Sequence, residues 1–150
     1  LYGVVELDEK QNKRYVNKFL PMINMDYTCF VMDENERMVA FGVCAPSMES
    51  AFQASRGRLF PTGAFRVLWN MYHNDTLDMF LTAVLPEYQG LGVNAIVMDT
   101  LLQGAIRNGI QYAETGPMLE WNDKIHAQFR FFETEQHKRR RCYIKDLPQD

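Results

Sequence analysis

The chain has 150 residues, 47% of them apolar and 23% charged, with a formal net charge of −3. That balance is ordinary for a folded domain and excludes a disordered or collagen-like chain, and 150 residues suit a single domain spanning 1–150. No run approaches the roughly 18 uninterrupted apolar residues of a membrane span, and the mild acidity argues against a dedicated nucleic-acid binder.

The opening residues, Leu1 to Asp8, lack the basic start and apolar core of a secretory signal, and they lack an initiator Met. The expectation is an excised domain of a longer protein. Three cysteines, Cys29, Cys44 and Cys142, are widely spaced with no C-x-x-C pair, which fits a reducing cytoplasm better than a disulfide framework. His126 and His137 are eleven residues apart, roughly 16 Å along a helix, too far to share a metal ion. No metal site is expected.

In chain order, Asp8 and Gln11 have the spacing of a capping box opening a helix. Val16, Phe19, Leu20 and Ile23 give it an apolar stripe, and Pro21 should end it. Tyr27 to Met32 and Arg37 to Cys44 are rich in strand formers and flank the polar turn 33–36, which reads as a hairpin closed by Pro46. Ser47 suits the cap of a short helix through Ala54, broken by Gly57 and Pro61. Phe65, Leu68, Trp69 and Tyr72 at helical spacing suggest a second helix. Leu77 to Leu85 is nearly all apolar, as in a central strand covered on both faces, and Pro86 stops it. A helix from about 91 to 108 follows, with Ile96, Val97, Leu101, Leu102, Ala105 and Ile106 inward, Asp99, Gln103 and Arg107 outward, and Gly109 as its terminal cap. Tyr112 and Ala113 begin another strand, 122–136 reads as a helix, and Cys142 to Ile144 reads as a last strand. The alternation defines an α/β chain.

The chemistry concentrates in Tyr88-Gln89-Gly90-Leu91-Gly92-Val93-Asn94, between a buried strand and an amphipathic helix. A glycine turn there aims backbone N–H groups and the positive end of the helix dipole at one point, which suits a phosphate. The third glycine of G-x-G-x-x-G is missing and no G-K-[ST] follows, so dinucleotide and P-loop readings fit poorly. A glycine turn that merely joins strand to helix is the competing structural reading.

This segment resembles the acyl-CoA-binding signature Q/R-x-x-G-x-G/A of the GNAT superfamily of N-acyltransferases, with Gln89 at its first position, Gly92 at its fourth, and Asn94 in place of the final small residue. The resemblance implies a central mixed sheet flanked by helices on both faces, with acetyl-CoA or another acyl-CoA as co-substrate. It implies that the N–H groups of Gly90, Leu91, Gly92, Val93 and Asn94 hold the CoA pyrophosphate. It further implies that a strand-end N–H at Val84 or Leu85 meets the thioester carbonyl, and that Asn122 lies near the pantetheine arm. Where many members carry a tyrosine that protonates the leaving thiolate, this chain has Phe129, which makes Tyr143 the nearest substitute acid. Glu114 is the candidate base, with Asp78 and Glu120 as rivals; a solvated or paired carboxylate is the competing reading of Glu114. Gly57-Arg58-Leu59-Phe60-Pro61, Glu120 with Asn122, and the basic run His137 to Arg141 resemble a bacterial branch of long proteins with a C-terminal GNAT-like domain.

Acyl transfer to a small-molecule or peptide amine, in the cytoplasm and by direct transfer, is therefore the leading expectation. A catalytically degenerate module that binds CoA or a partner, including the rest of the parent chain, is the alternative. The basic run, read as a solvated helix end, leaves nucleic-acid binding as a distant third.

Overall fold

The structure is a computed structural model that describes residues 7–20 and 23–145. The first helix, α1, runs Glu9–Phe19. Asp8 caps it by accepting the Gln11 N–H at 2.7 Å, and the Gln11 side chain accepts the Asp8 N–H at 2.9 Å. This is the reciprocal box expected from the spacing. Pro21 and the side chain of Phe19 lie outside the described residues. Val16 and Leu20 are 56% and 59% exposed, so their part of the α1 stripe is not buried.

Four strands follow: β1 Thr28–Met32, β2 Met38–Pro46, β3 Thr76–Val84 and β4 Tyr112–Thr115. They form one mixed sheet in the order β1-β2-β3-β4, and the first three are antiparallel neighbours. The excursion between β2 and β3 holds α2 Glu49–Ser55 and α3 Gly63–Tyr72. Ser47 is not the cap residue of α2, a place taken by Met48, although the Ser47 hydroxyl does accept the Glu49 N–H at 3.5 Å. Both Asn70 and Asn74 donate side-chain amides to the Ser47 carbonyl, tying the excursion back to the sheet.

The core lies between the sheet and α4, Val93–Arg107. Val93, Val97, Leu101 and Gly104 are its buried stripe, and Val97 is 0% exposed. They meet Cys29, Ala40, Cys44 and Leu77. Gly42 has no side chain because α4 lies against it: a Cβ there would come within 2.5 Å of Val97 and 2.8 Å of Leu101. The stripe is narrower than the sequence suggests. Ile96 and Ile106 are 54% and 60% exposed, because at 3.6 residues per turn they fall to either side of the line of contact. At its far end α4 closes with Gly109 at φ +72; its N–H reaches the Ile106 carbonyl and the Ile110 N–H reaches Ala105. That is the Schellman arrangement.

β3 differs from its expected burial. Its apolar run predicts a strand covered on both faces, yet Phe80 and Leu81 are 54% and 60% exposed. Residues 80–83 are all exposed, so the later part of the run is covered on neither face.

Contacts group the chain into two units, Leu1–Glu114 and Thr115–Asp150. In the second, α5 spans only Asp123–His126, followed by a single 3-10 turn, Ala127–Phe129. The expected helix to Gln136 is not formed, and neither is the strand at 142–144; residues 133–145 have no regular structure. From 133 to 141 the chain has no apolar side chain to bury, so nothing repays helix nucleation, and three apolar residues at 142–144 have no strand to pair with.

Candidate functional site

The site begins in β3. Val43 pairs with Leu81 and Cys44 with Met79, which leaves Phe80 as an extra residue, a bulge that bends the strand before its end. At the end, the Leu85 N–H donates to the Val39 carbonyl at 2.9 Å. Consecutive strand residues direct their polar groups to opposite edges, so the N–H and C=O of Val84 turn away from β2. The Val84 carbonyl accepts the Gln89 side-chain amide at 3.1 Å. Of the two strand-end candidates, Leu85 has therefore already committed its N–H, whereas that of Val84 turns to the β4 side of the strand. Gln89 acts as a brace across the turn.

A 3-10 turn, Pro86–Tyr88, leads into the glycines. Gly90 and Gly92 have φ of +82 and +83, the left-handed region that a Cβ penalises, and Gly92 is the residue from which α4 starts. A Cβ on either would meet no atom of the chain within 4 Å, so the backbone angle calls for glycine and the space in front of the turn is open. The N–H groups of Gly90, Leu91, Gly92, Val93 and Asn94 line this turn and the start of α4. No acidic side chain occupies the first turn of α4. Five N–H groups and the positive end of a fifteen-residue helix are thus presented together, an arrangement that favours an anion.

Four residues to which the sequence reading gave no role of their own hold this turn from the side. The Tyr88 O–H donates to Asp33 Oδ2 at 3.1 Å. Asp33 Oδ1 accepts the N–H groups of Asn35 and Arg37 at 2.8 and 3.0 Å, and Arg37 Nη2 bonds Glu87 Oε1 at 3.0 Å. The Arg37 N–H is the main reason that Asp33 titrates below the ordinary aspartate range, and the bond to Asp33 pushes the Tyr88 phenol upward. Asp33 at the head of a polar turn is a legible turn signal. Its partner 55 positions away is not.

Glu114 lies half-buried on β4, and Asp78 is half-buried on β3 opposite Ala45. The remaining candidates belong to the second unit. Asn122 caps α5, its Oδ1 accepting the Ile125 N–H at 3.4 Å. Glu120 pairs with Arg139. Phe129 sets its ring 6.4 Å from that of Phe132. Tyr143, expected on a final strand, is instead 85% exposed on the irregular segment. No three His, Cys, Asp or Glu side chains are grouped to hold a metal ion among the described residues, and no helix among them is long and apolar enough to cross a membrane.

A mixed sheet with a strand that ends in an open glycine turn ahead of a long helix defines an α/β protein. The chain belongs to the acetyltransferase (GNAT) family, whose model matches residues 4–131. In structure it is similar to the aminoglycoside 6′-N-acetyltransferase AAC(6′)-Ih of Acinetobacter baumannii, with a TM-score of 0.56 at 13% identity, covering 99% of this chain and 86% of that one. It is also similar to AAC(6′)-Iy in complex with CoA, with a TM-score of 0.52 at 14% identity, covering 87% and 88%. A third is glucosamine-6-phosphate N-acetyltransferase of Arabidopsis thaliana, with a TM-score of 0.54 at 10% identity, covering 94% and 82%. At these identities the likeness is one of fold. No curated protein matches the chain in sequence.

Proposed function

We propose that the chain is an acyl-CoA-dependent N-acyltransferase that passes an acetyl or longer acyl group directly to the amine of a small molecule or peptide. The observation that carries this reading is the open 89–94 turn, with its two left-handed glycines ahead of α4, in a chain of the GNAT family. The N–H groups of Gly90, Leu91, Gly92, Val93 and Asn94 receive the CoA pyrophosphate. The Val84 N–H, facing away from β2, donates to the thioester carbonyl oxygen and strengthens its bond as negative charge develops there.

Glu114 is the proposed base, taking a proton from the attacking amine. The amine nitrogen bonds the carbonyl carbon, the C–S bond breaks, and the products are an amide and the CoA thiolate. A thiol of this type has a pKa of about 8.5, so its thiolate leaves without a dedicated acid and takes a proton from water. Phe129 has no proton to give, so this route forgoes acid assistance to the leaving thiolate. Phe129 is also the residue that favours the second reading, a module that binds CoA without turnover.

Calorimetric titration with acetyl-CoA and with a longer acyl-CoA, beside Gly92→Trp, tests the donor site. Binding by the wild type and a loss of more than about tenfold in the variant are expected, since the indole stands where the pyrophosphate would lie. No heat with either donor, at two temperatures and with folded protein, overturns the reading. Glu114→Gln separates the two functions: an enzyme loses turnover and keeps its donor affinity, whereas a binding module has no turnover to lose.

A further inference from the structure

The glycine turn is held along the chain by β3 and α4, and from the side by a hairpin some fifty residues upstream. Asp33 uses both carboxylate oxygens: Oδ1 organises the turn between β1 and β2, and Oδ2 holds Tyr88. Arg37, whose N–H is one of the Oδ1 donors, extends its guanidinium to Glu87. Two links thus converge on consecutive positions, 87 and 88, immediately ahead of Gln89. The Tyr88 ring also packs against the core beside Leu85, so the residue is fixed at both its apolar and its polar end.

The placement of this network matters more than its strength. Arg37 and Glu87 have side chains 59% and 50% exposed, and ion pairs this open add little to global stability. What they do control is local. A bare Glu87 carboxylate two residues ahead of Gln89 would oppose an incoming anion, and Arg37 neutralises it. A turn already held in its binding shape loses less entropy when the ligand arrives.

We propose that Asp33, Arg37, Glu87 and Tyr88 form a strut that positions the 89–94 turn to receive the anionic end of the donor, making Tyr88 and Arg37 positioning residues that set donor affinity. The proposal rests on the acyl-CoA reading above.

The test combines three measurements on the whole chain: calorimetry with acetyl-CoA, titration with S-acetylpantetheine, which lacks the pyrophosphate, and ¹⁵N relaxation of the Gly90 and Gly92 amides without ligand. Tyr88→Phe and Arg37→Ala should each weaken acetyl-CoA by about fivefold, the loss of one hydrogen bond or one neutralising charge. Arg37→Lys should stay within about twofold of wild type, and Glu87→Gln should largely rescue Arg37→Ala. S-acetylpantetheine should bind the variants as it binds wild type. The glycine order parameters should drop from the rigid value of about 0.85 in Tyr88→Phe, with melting temperatures moved by less than about 2 °C. Equal weakening of both donors marks a general structural role and overturns the proposal. So do unchanged order parameters together with acetyl-CoA affinities within about twofold of wild type. A wild type that binds no acetyl-CoA refutes the donor reading itself and the proposal with it, a result distinct from failure of the strut alone.

Discussion

α4 and α5 both begin where a capping residue follows a loop, yet the first runs for fifteen residues and the second for four. Asn122 gives α5 the better start, since its side chain accepts a helix N–H while Gly92 offers none. The difference lies further along. α4 sets Val93, Val97, Leu101 and Gly104 against a sheet, whereas neither α5 nor the 3-10 turn that follows it buries a single residue. A cap chooses where a helix starts, and burial decides how far it goes.

The largest effect that should distinguish the two regions is at Leu101, which is 5% exposed. Leu101→Ala should lower unfolding free energy by about 3 kcal/mol, from lost burial and the cavity left behind. Urea unfolding measures it, and a loss under about 1 kcal/mol would mean that α4 is not seated as described.

Next is the alkaline limb of stability. Burial pushes the Cys44 thiol from 9.0 up to about 11, and the residue is 3% exposed. Between those values the unfolded chain gives up its proton and the native chain keeps it. Stability from this group is therefore complete below about pH 9 and falls as the pH rises toward 11, by about 2 kcal/mol in all. Comparing wild type with Cys44→Ala from pH 8 to 11 isolates the slope; equal slopes would refute it.

A smaller effect, about 1 kcal/mol of destabilisation, is expected for Gly92→Ala, which forces a Cβ into the left-handed region without any clash. Gly116→Ala in the second unit, where the added Cβ also meets nothing within 4 Å and φ is not in that region, is the matched control. Smallest of all is Phe131→Ala. At 79% exposure it should change unfolding by less than about 0.5 kcal/mol. A loss as large as that at Leu101 would show that the second unit buries Phe131 in solution, erasing the contrast between the regions.

The parts legible in the sequence are those whose determinants lie within a turn or two of each other. The Asp8–Gln11 box, the stop at Gly109 and the left-handed Gly90 and Gly92 are all local matters of backbone angle and unsatisfied N–H groups. Burial is not local. Ile96 and Val97 are adjacent and equally apolar, yet one is half exposed and the other fully enclosed, because only the position of the sheet distinguishes them. The same limit hid the partners of Tyr88 and Glu87, which are 55 and 50 residues away. In the tail, the helix expected over 122–136 is formed only at Asp123–His126, where no residue is buried.

The two glycines at which α4 meets its surroundings have a mechanical consequence. Gly42 on β2 lets Val97 and Leu101 sit directly on the sheet, and at the other end a Cβ on Gly104 would collide with the Asp26 carbonyl. The helix is thus seated on the sheet near its middle and against the Asp26 carbonyl near its far end, with the braced glycine turn at its opposite end. From Gly104 to Gly92 is twelve residues, about 18 Å, and a tilt of about 5° at the Gly104 end would carry the other end by about 1.6 Å. A methyl group added at Gly104 would thus be read out at the glycine turn, the proposed donor site, by an amount comparable to half a hydrogen-bond length.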